Sequence, residues 1–277
     1  MIRVGDWVVG QIGLAVLRAA VAGDEVGARR HLDTLRSALG RLDDDDDALT
    51  ARWDLPEVGS RSGYATWAAA YDDPGNVTVD LEEAAVVPLL QEMPMGLVLD
   101  AACGTGRHAV HLVAQGHRVV GVDSSVGMLE RAASKLGQRF AASDLHALPF
   151  ADGSFDAAVC ALALSHERDV APGVAELARV VRPGGRLIIS VPHWLLTEVI
   201  GARAVVGSAY VPEYGHRSST WLAAFFEAGL VVRDCLEPSW PDDAGAKAVP
   251  HDDLRAAARA ARAGLPAVMV WDLLRST

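Results

Sequence analysis

The stretch LVLDAACGTGRHAVHLVAQGHRVVGVD, Leu97 to Asp123, decides the fold. An apolar run closes on an acid, Asp100, and a small-residue turn with Gly104 and Gly106 follows. A helical pattern then leads to a second apolar run that closes on Asp123. Strand, glycine turn, helix and strand make one βαβ unit. The spacing Gly104-x-Gly106-x-x-Ala109, with an acid 19 residues beyond Gly104, also satisfies a dinucleotide fingerprint. Asp100 separates the two readings. In the dinucleotide arrangement a diphosphate rests on the N–H groups of this turn, and a carboxylate beside it meets like charge in a partly buried setting. A ligand bringing a cation to the turn and a ribose diol to Asp123 suits both acids.

S-adenosylmethionine has both, an ammonium and sulfonium at one end and adenosine at the other. The run VLDAACGTG, then GVDSS with Met128 and Leu129, then SDLHALPFADGSFDAAVC, then ELARVVRPGGRLIIS resembles the class I S-adenosylmethionine-dependent methyltransferases, in their small-molecule, ubiquinone-biosynthesis-like subgroup. The resemblance covers roughly Tyr64 to the C-terminus. It implies an α/β fold, a Rossmann-like seven-stranded methyltransferase sheet flanked by helices, with the last strand antiparallel. It also implies a methyl transfer from S-adenosyl-L-methionine, leaving S-adenosyl-L-homocysteine, to oxygen, nitrogen or carbon of a small organic acceptor.

The chain of 277 residues, 51% hydrophobic, is long enough for a full α/β core with an accessory element. Its 36 acids outnumber 25 bases, for a net charge of −11, and Lys135 and Lys247 are its only lysines. That balance disfavours nucleic acid as the substrate, because binding it rests on phosphate neutralisation. Cys103, Cys160 and Cys235 are too scattered for a disulfide framework or a zinc pair, and no metal is expected. Cys103 reads as a small filler that lets backbone approach a ligand. Residues 7–22 are apolar but interrupted by Gly10, Gln11, Gly13 and Arg18, too short and broken for a membrane span and a poor signal peptide. The expected location is cytoplasmic.

Two regions are expected: 1–60, a helical extension with an acidic linker, and 61–277, the methyltransferase domain with a substrate-side insert at 192–217. Residues 7–42 read as two helices parted near Gly23-Asp24, the second with a stripe of Leu32, Leu35, Leu39 and Leu42. That stripe is covered either by its own chain or by a second copy, so monomer and homodimer both stand. Asp43–Asp47 reads as a solvated linker, because consecutive carboxylates repel. A helix ends near Leu90. Strands are expected at 97–100, 118–123, near 138–142, 155–161, 186–191, 230–236 and 266–272. Helices are expected at 106–115, 126–136, 170–180, 221–228 with Thr220 as cap, and 251–263. Pro183-Gly184-Gly185 turns the chain into the fifth strand, and 237–250 is a loop.

Open α/β sheets bind ligands beyond their C-terminal strand ends, where Asp100, Asp123 and Asp144 follow the first three strands. Asp100 suits the methionine ammonium, directly or through water, and Gly104 allows close main-chain approach. Asp123 suits both ribose hydroxyls. The resemblance implies that Asp144 and the Leu145 backbone meet adenine, and it places Ala102, Gly106, Ser124, Met128 and Ala161 around the cofactor. Arg107 stands either to meet the methionine carboxylate or to shield the acids. Alignment does much of the work in displacement at an activated carbon, with a base needed only where the acceptor sheds a proton. His166 after the fourth strand, His193 after the fifth and His216 in the insert are the candidate bases. Tyr64, Trp67, Tyr71, Trp194, Tyr210 and Tyr214, with His166, are the candidate walls of the acceptor pocket. His108, His111 and His117 read as structural. Two other functions remain: an NAD-dependent oxidoreductase, which lacks a Tyr-x-x-x-Lys-like pair here, and a catalytically silent S-adenosylmethionine-binding protein.

Overall fold

The computed structural model describes residues 2–137, 140–199, 204–242 and 249–277. It divides into two compact units, Met1–Pro56 with Ser239–Pro266 and Glu57–Pro238 with Ala267–Thr277.

The larger unit opens with α1 (Ser60–Trp67) and α2 (Val77–Gln91). Then come β1 (Leu97–Ala101), α3 (Arg107–Ala114), β2 (Arg118–Asp123), α4 (Val126–Leu136) and β3 (Phe140–Ala142). The second half holds β4 (Phe155–Ala161), α5 (Ala171–Val180), β5 (Val181–Pro192), α6 (Trp194–Glu198), α7 (Ser218–Glu227), β6 (Leu230–Leu236) and β7 (Val268–Arg275). The seven strands form one sheet in the order β6-β7-β5-β4-β1-β2-β3. β1 to β5 run parallel, and β7 lies antiparallel between β5 and β6. This is the Rossmann-like sheet that the sequence implies. The chain steps outward from β1 to β3 and then returns to β4 on the other side of β1, so the switch point falls between the C-terminal ends of β1 and β4.

Sequence accounts for this arrangement locally. β1 and β4 are near-continuous apolar runs, as strands covered on both faces by helices must be. Leu99, Val122, Phe155, Ile189, Phe225 and Trp271 join one buried core. β2, α4, β4 and β6 occupy the ranges their patterns predict. The last strand is Val268–Arg275 where 266–272 is expected, other ends shift by a residue, and three further differences are informative. Helix α7 begins at Ser218, with Arg217 as a cap that makes no side-chain bond, so Thr220 lies inside the first turn. The strand near 138–142 is Phe140–Ala142, residues 138 and 139 lying outside the described residues. Residues 200–203 of the insert and 243–248 of the expected loop also lie outside them.

The third difference is β5, which starts at Val181 instead of after the turn. Phe155 pairs with Val181 but Ala157 pairs with Arg186, so Arg182 to Gly185 bulge opposite a single residue. A Cβ on Gly185 would stand 2.6 Å from the Asp156 carbonyl and 2.8 Å from that of Arg182. Backbone cannot step aside as a side chain can. Gly185→Ala is therefore expected to cost about 3 kcal/mol of stability, read as a lower urea midpoint; an unchanged midpoint would show that the bulge tolerates a side chain.

The smaller unit is helical. Val4–Val21 and Glu25–Arg41 are separate helices that part at residues 22–24, where the sequence places the break, and the first runs through Gly10 and Gly13. Among the described residues it is the one helix long and apolar enough to cross a membrane by length and composition. Its Val4, Val8 and Ile12 share a core with Leu254, Ala257 and Ala258 of the helix Asp252–Arg262, and Arg18 donates to the carbonyls of Ala260 and Ala261. Residues 239–266, which the sequence reading assigns to the 61–277 domain, thus pack in this unit.

The helix Glu25–Arg41 buries Gly27, His31 and Ala38, with Leu35 and Leu42 packed beside the core, while Leu32 and Leu39 are exposed. The expected leucine stripe is out of phase with the face that packs, and the leucines on that face are covered by their own unit. Asp47 at the end of the acidic run caps the turn Ala48–Thr50 and accepts from His251 at 2.8 Å, so that end is not simply solvated linker.

Candidate functional site

At the switch point the backbone leaves both central strands sharply. β1 ends at Ala101, and Ala102 (φ 52°), Gly104 (φ 54°) and Gly106 (φ 80°) all adopt the left-handed region before α3 begins. β4 ends at Ala161, and Leu162 follows at φ 54°. Alanine and leucine in this region each carry strain of about 1–2 kcal/mol, held by the surrounding structure. A cavity of about 340 Å³ opens beside these turns, and Ala102, Gly104, Ala161 and Leu162 line it.

The structure brings most of the expected cofactor residues to this cavity. Besides Ala102, Gly104 and Ala161, Asp123, Ser124 and Met128 line it, as do Asp144 and Leu145. Asp123 is fixed by backbone: one carboxylate oxygen accepts from Gly104 N at 2.8 Å and the other from Ser125 N at 2.7 Å. Burial pushes its carboxyl above the ordinary range, against those amide bonds. Asp144 lies at the exposed rim, where the His146 amide and then its ring hold the carboxyl below the usual value.

Asp100, Gly106 and Arg107 stand outside the lining. Asp100 is 2% exposed and accepts from Ala109 N at 3.0 Å, the third residue of α3, so it serves the orphan amides of the helix start. Burial pushes its carboxyl up to about 6, although His108 and Arg107 pull it down. Gly106 caps α3 from behind the turn. Arg107 is turned to Glu82 at 2.6 Å and to Glu83 at 3.4 Å.

Of the candidate bases, His166 reaches the cavity. Its Nδ1 donates to the Pro212 carbonyl at 2.7 Å, which leaves Nε2 as the acceptor of the Tyr64 hydroxyl, also at 2.7 Å. Burial lowers the His166 pKa and raises that of Tyr64 well above the phenol range, so both are neutral. His193 is instead a buried cap: its Nδ1 accepts from Leu195 N, and Nε2 meets Glu237 at 3.2 Å. His216 donates to the Glu167 carbonyl at 2.7 Å and packs edge-on against Trp221. Neither lines the cavity.

Tyr64 and Tyr71 do line it, with Trp67 packed behind them at ring separations of 5.9 and 5.0 Å. Trp194 lies against His193 and under Arg217, and Tyr210 donates to Glu57. Tyr214 lies under Arg168, its amide bonded to the Ser165 carbonyl. These three are placed outside the lining.

Sequence reasoning missed Arg61, His146 and Glu167 of the cavity, and it missed Glu82. Glu82 is fully buried and accepts from Arg107, from His108 Nε2 at 3.1 Å and from Ser190 Oγ at 2.7 Å. Burial pushes its carboxyl up, but His108, Arg107 and Ser190 outweigh this and hold it at about 2. His108 therefore belongs to a buried network, although it reads as merely structural in sequence. The available signal was spacing: Glu82, Val86, Leu89 and Leu90 fall on one helical face, where an acid needs partners.

Comparison with known proteins agrees with this geometry. A family model described as a methyltransferase domain matches residues 99–189. The demethylmenaquinone methyltransferase of Beutenbergia cavernae is 35% identical over 178 residues, 61% of this chain and 69% of the relative. That of Mycolicibacterium gilvum is 44% identical over 153 residues, 55% of this chain and 65% of the relative. Among solved structures, an S-adenosylmethionine-dependent methyltransferase from Mesorhizobium loti superposes with a TM-score of 0.54 at 19% identity, covering 70% of this chain and 98% of that one. A geranyl diphosphate methyltransferase solved with sinefungin gives 0.52 at 20%, covering 75% and 86%. These two show the shared fold. With β1 to β4, the glycine turn and the strand-end acids all in place, the chain belongs to the class I S-adenosylmethionine-dependent methyltransferases that act on small molecules.

Proposed function

We propose that this chain transfers a methyl group from S-adenosylmethionine to a small, partly aromatic organic acceptor by in-line displacement, releasing S-adenosylhomocysteine. The observation that carries the reading is a cavity at the switch point that Gly104, Asp123 and Asp144 line together with Tyr64 and His166. The residues fit the cofactor. A Cβ built on Gly104 meets no atom within 4 Å, so main chain there has room for a ligand. Each Asp123 oxygen keeps acceptor capacity beyond its one backbone bond, enough for two ribose hydroxyls. Asp144 and the Leu145 backbone take adenine, and Asp100 acts from beneath the turn on the ammonium end, directly or through water.

When bound, the cofactor supplies a methyl already activated by its sulfonium. The protein aligns the acceptor, excludes water and receives a proton where one is released. Tyr64 and Tyr71 provide flat walls for a ring, with Trp67 packed behind them. His166 Nε2 holds the available lone pair, and Tyr64 is its donor, so a proton leaving the acceptor passes to the Tyr64 oxygen as the Tyr64 proton passes to His166. Likeness to demethylmenaquinone methyltransferases makes a reduced naphthoquinone the first acceptor to test. The helical N-terminal segment and the 192–217 insert favour a specialised metabolite as the natural one.

Titration calorimetry with S-adenosylmethionine, S-adenosylhomocysteine and NAD tests the cofactor directly. Binding of the first two at micromolar levels is expected; tight NAD binding without them would overturn the reading. The base has its own test. Turnover of a naphthoquinol should rise with pH through a midpoint below the ordinary histidine value of about 6.5, because burial favours the neutral ring. His166→Gln should lose about 100-fold in turnover together with that acid limb; an unaltered profile would remove His166 from the role.

A further inference from the structure

Glu82 takes no part in the site as proposed, yet it is the most completely enclosed acid beside it. It draws three donors from two parts of the chain: Arg107 and His108 at the start of α3, and Ser190 in β5. Arg107 and His108 also pull the Asp100 carboxyl down. Asp123 faces Asp100 as a second acid, and the Cys103 and Cys160 thiols beside it are kept protonated by burial and by these carboxylates. Among the described hydrogen bonds Asp100 accepts only from Ala109. A guanidinium near a buried acid ordinarily closes on it in a forked pair. Here Arg107 is engaged by Glu82 at 2.6 Å instead.

We propose that Glu82 is a positioning residue: a buried counter-ion that holds Arg107 away from Asp100, and so keeps Asp100 open to the ammonium end of the cofactor. This rests on the reading of Asp100 as the cation-receiving acid. A carboxyl pushed up to about 6 in the ligand-free protein must lose its proton to receive an ammonium. Affinity for S-adenosylhomocysteine therefore rises as pH climbs through that value and levels off above it, and binding below it releases a proton. In Glu82→Gln, Arg107 loses its partner and turns to Asp100. Asp100 then ionises at lower pH, about one unit down, and above neutrality Arg107 competes with the ligand, for an affinity loss of about tenfold. Glu82→Gln/Arg107→Met removes both members of the pair, leaves Asp100 open, and returns the midpoint to the wild-type value or above.

The experiment is calorimetric titration with S-adenosylhomocysteine from pH 5 to 8, in two buffers of different ionisation enthalpy so that released protons are counted. The expected result is an acid shift and weaker binding in Glu82→Gln, both reversed in the double variant. A Glu82 that merely braces the fold would leave the midpoint where it is, or would leave the double variant as weak as the single one. Either result overturns the assignment. If Glu82→Gln does not fold, the double variant alone decides: a midpoint below that of the wild type overturns it. Failure of the wild-type protein to bind S-adenosylhomocysteine at all would overturn the cofactor reading itself, which is a different result from normal binding with an unmoved midpoint.

Discussion

Asp123→Ala should reduce affinity for S-adenosylhomocysteine by at least about 100-fold. Two effects add. The first is direct: hydrogen bonds to a charged group contribute about 1.5–3 kcal/mol each, and two ribose hydroxyls facing one carboxylate give about 3 kcal/mol or more. The second is organisational. Asp123 bonds the Gly104 amide on one side and the Ser125 amide on the other, so it ties the glycine turn after β1 to the start of α4. Without it both amides lose their partner and the turn loses its anchor. Asp123→Asn separates the effects, since its oxygen can still accept one bond while the charge is gone; an intermediate loss of about tenfold is expected. Calorimetry at neutral pH gives the numbers directly. A dissociation constant for Asp123→Ala within threefold of wild type would remove Asp123 from the ribose site.

The largest effect on stability is expected at the other end of the sheet. Arg186 in β5 and Asp272 in β7 form a forked pair at 2.8 and 3.0 Å, with the two residues 6% and 3% exposed. Asp272 lies opposite Ile188 and Arg186 opposite Leu274, so the pair runs diagonally across the antiparallel ladder. Removing one member leaves a buried charge with its solvation unreplaced. Asp272→Ala should therefore cost about 3–5 kcal/mol, enough to threaten folding in a domain of ordinary stability. Glu92, 3.5 Å from Arg186, is largely exposed and is not expected to substitute. Arg186→Met/Asp272→Leu keeps bulk without charge and should recover most of the loss. Urea unfolding of the two variants decides the matter. If the single substitution costs under about 1 kcal/mol, the pair is as weak as a surface bridge.

The parts of this fold legible in the sequence are those set by local chemistry. β2 and β6 begin and end where apolar runs meet glycine or charge, and their limits, like those of β4, could be read to the residue. Asp123 and Asp144 could be found because the ends of parallel strands converge at a switch point in any such sheet. The bulge in β5 could not, since it depends on how Phe155 and Ala157 pair with a neighbouring strand. The leucine stripe misled because period alone does not say which of two adjacent faces meets a neighbour; His31 and Ala38 are inside while Leu39 is out. The position of His166 depends on the Pro212 carbonyl, a backbone atom that leaves no mark in a sequence. Glu82 lay hidden for a related reason, as its three donors converge only once α2, α3 and β5 have met.

The reversed strand β7 also bears on the order of folding. It follows the other six strands in the chain, yet it lies between β5 and β6, and β6 pairs with β7 alone. A nascent chain that has made β1 to β5 can assemble the parallel part of the sheet, but β6 has no ladder to join until the last strand arrives. The excursion through residues 239–266 delays that arrival further, at the entropic cost of closing a long loop. Closure of the sheet is thus a late and slow step, and a chain halted before Val268 presents the open edge of β5 to any strand that meets it.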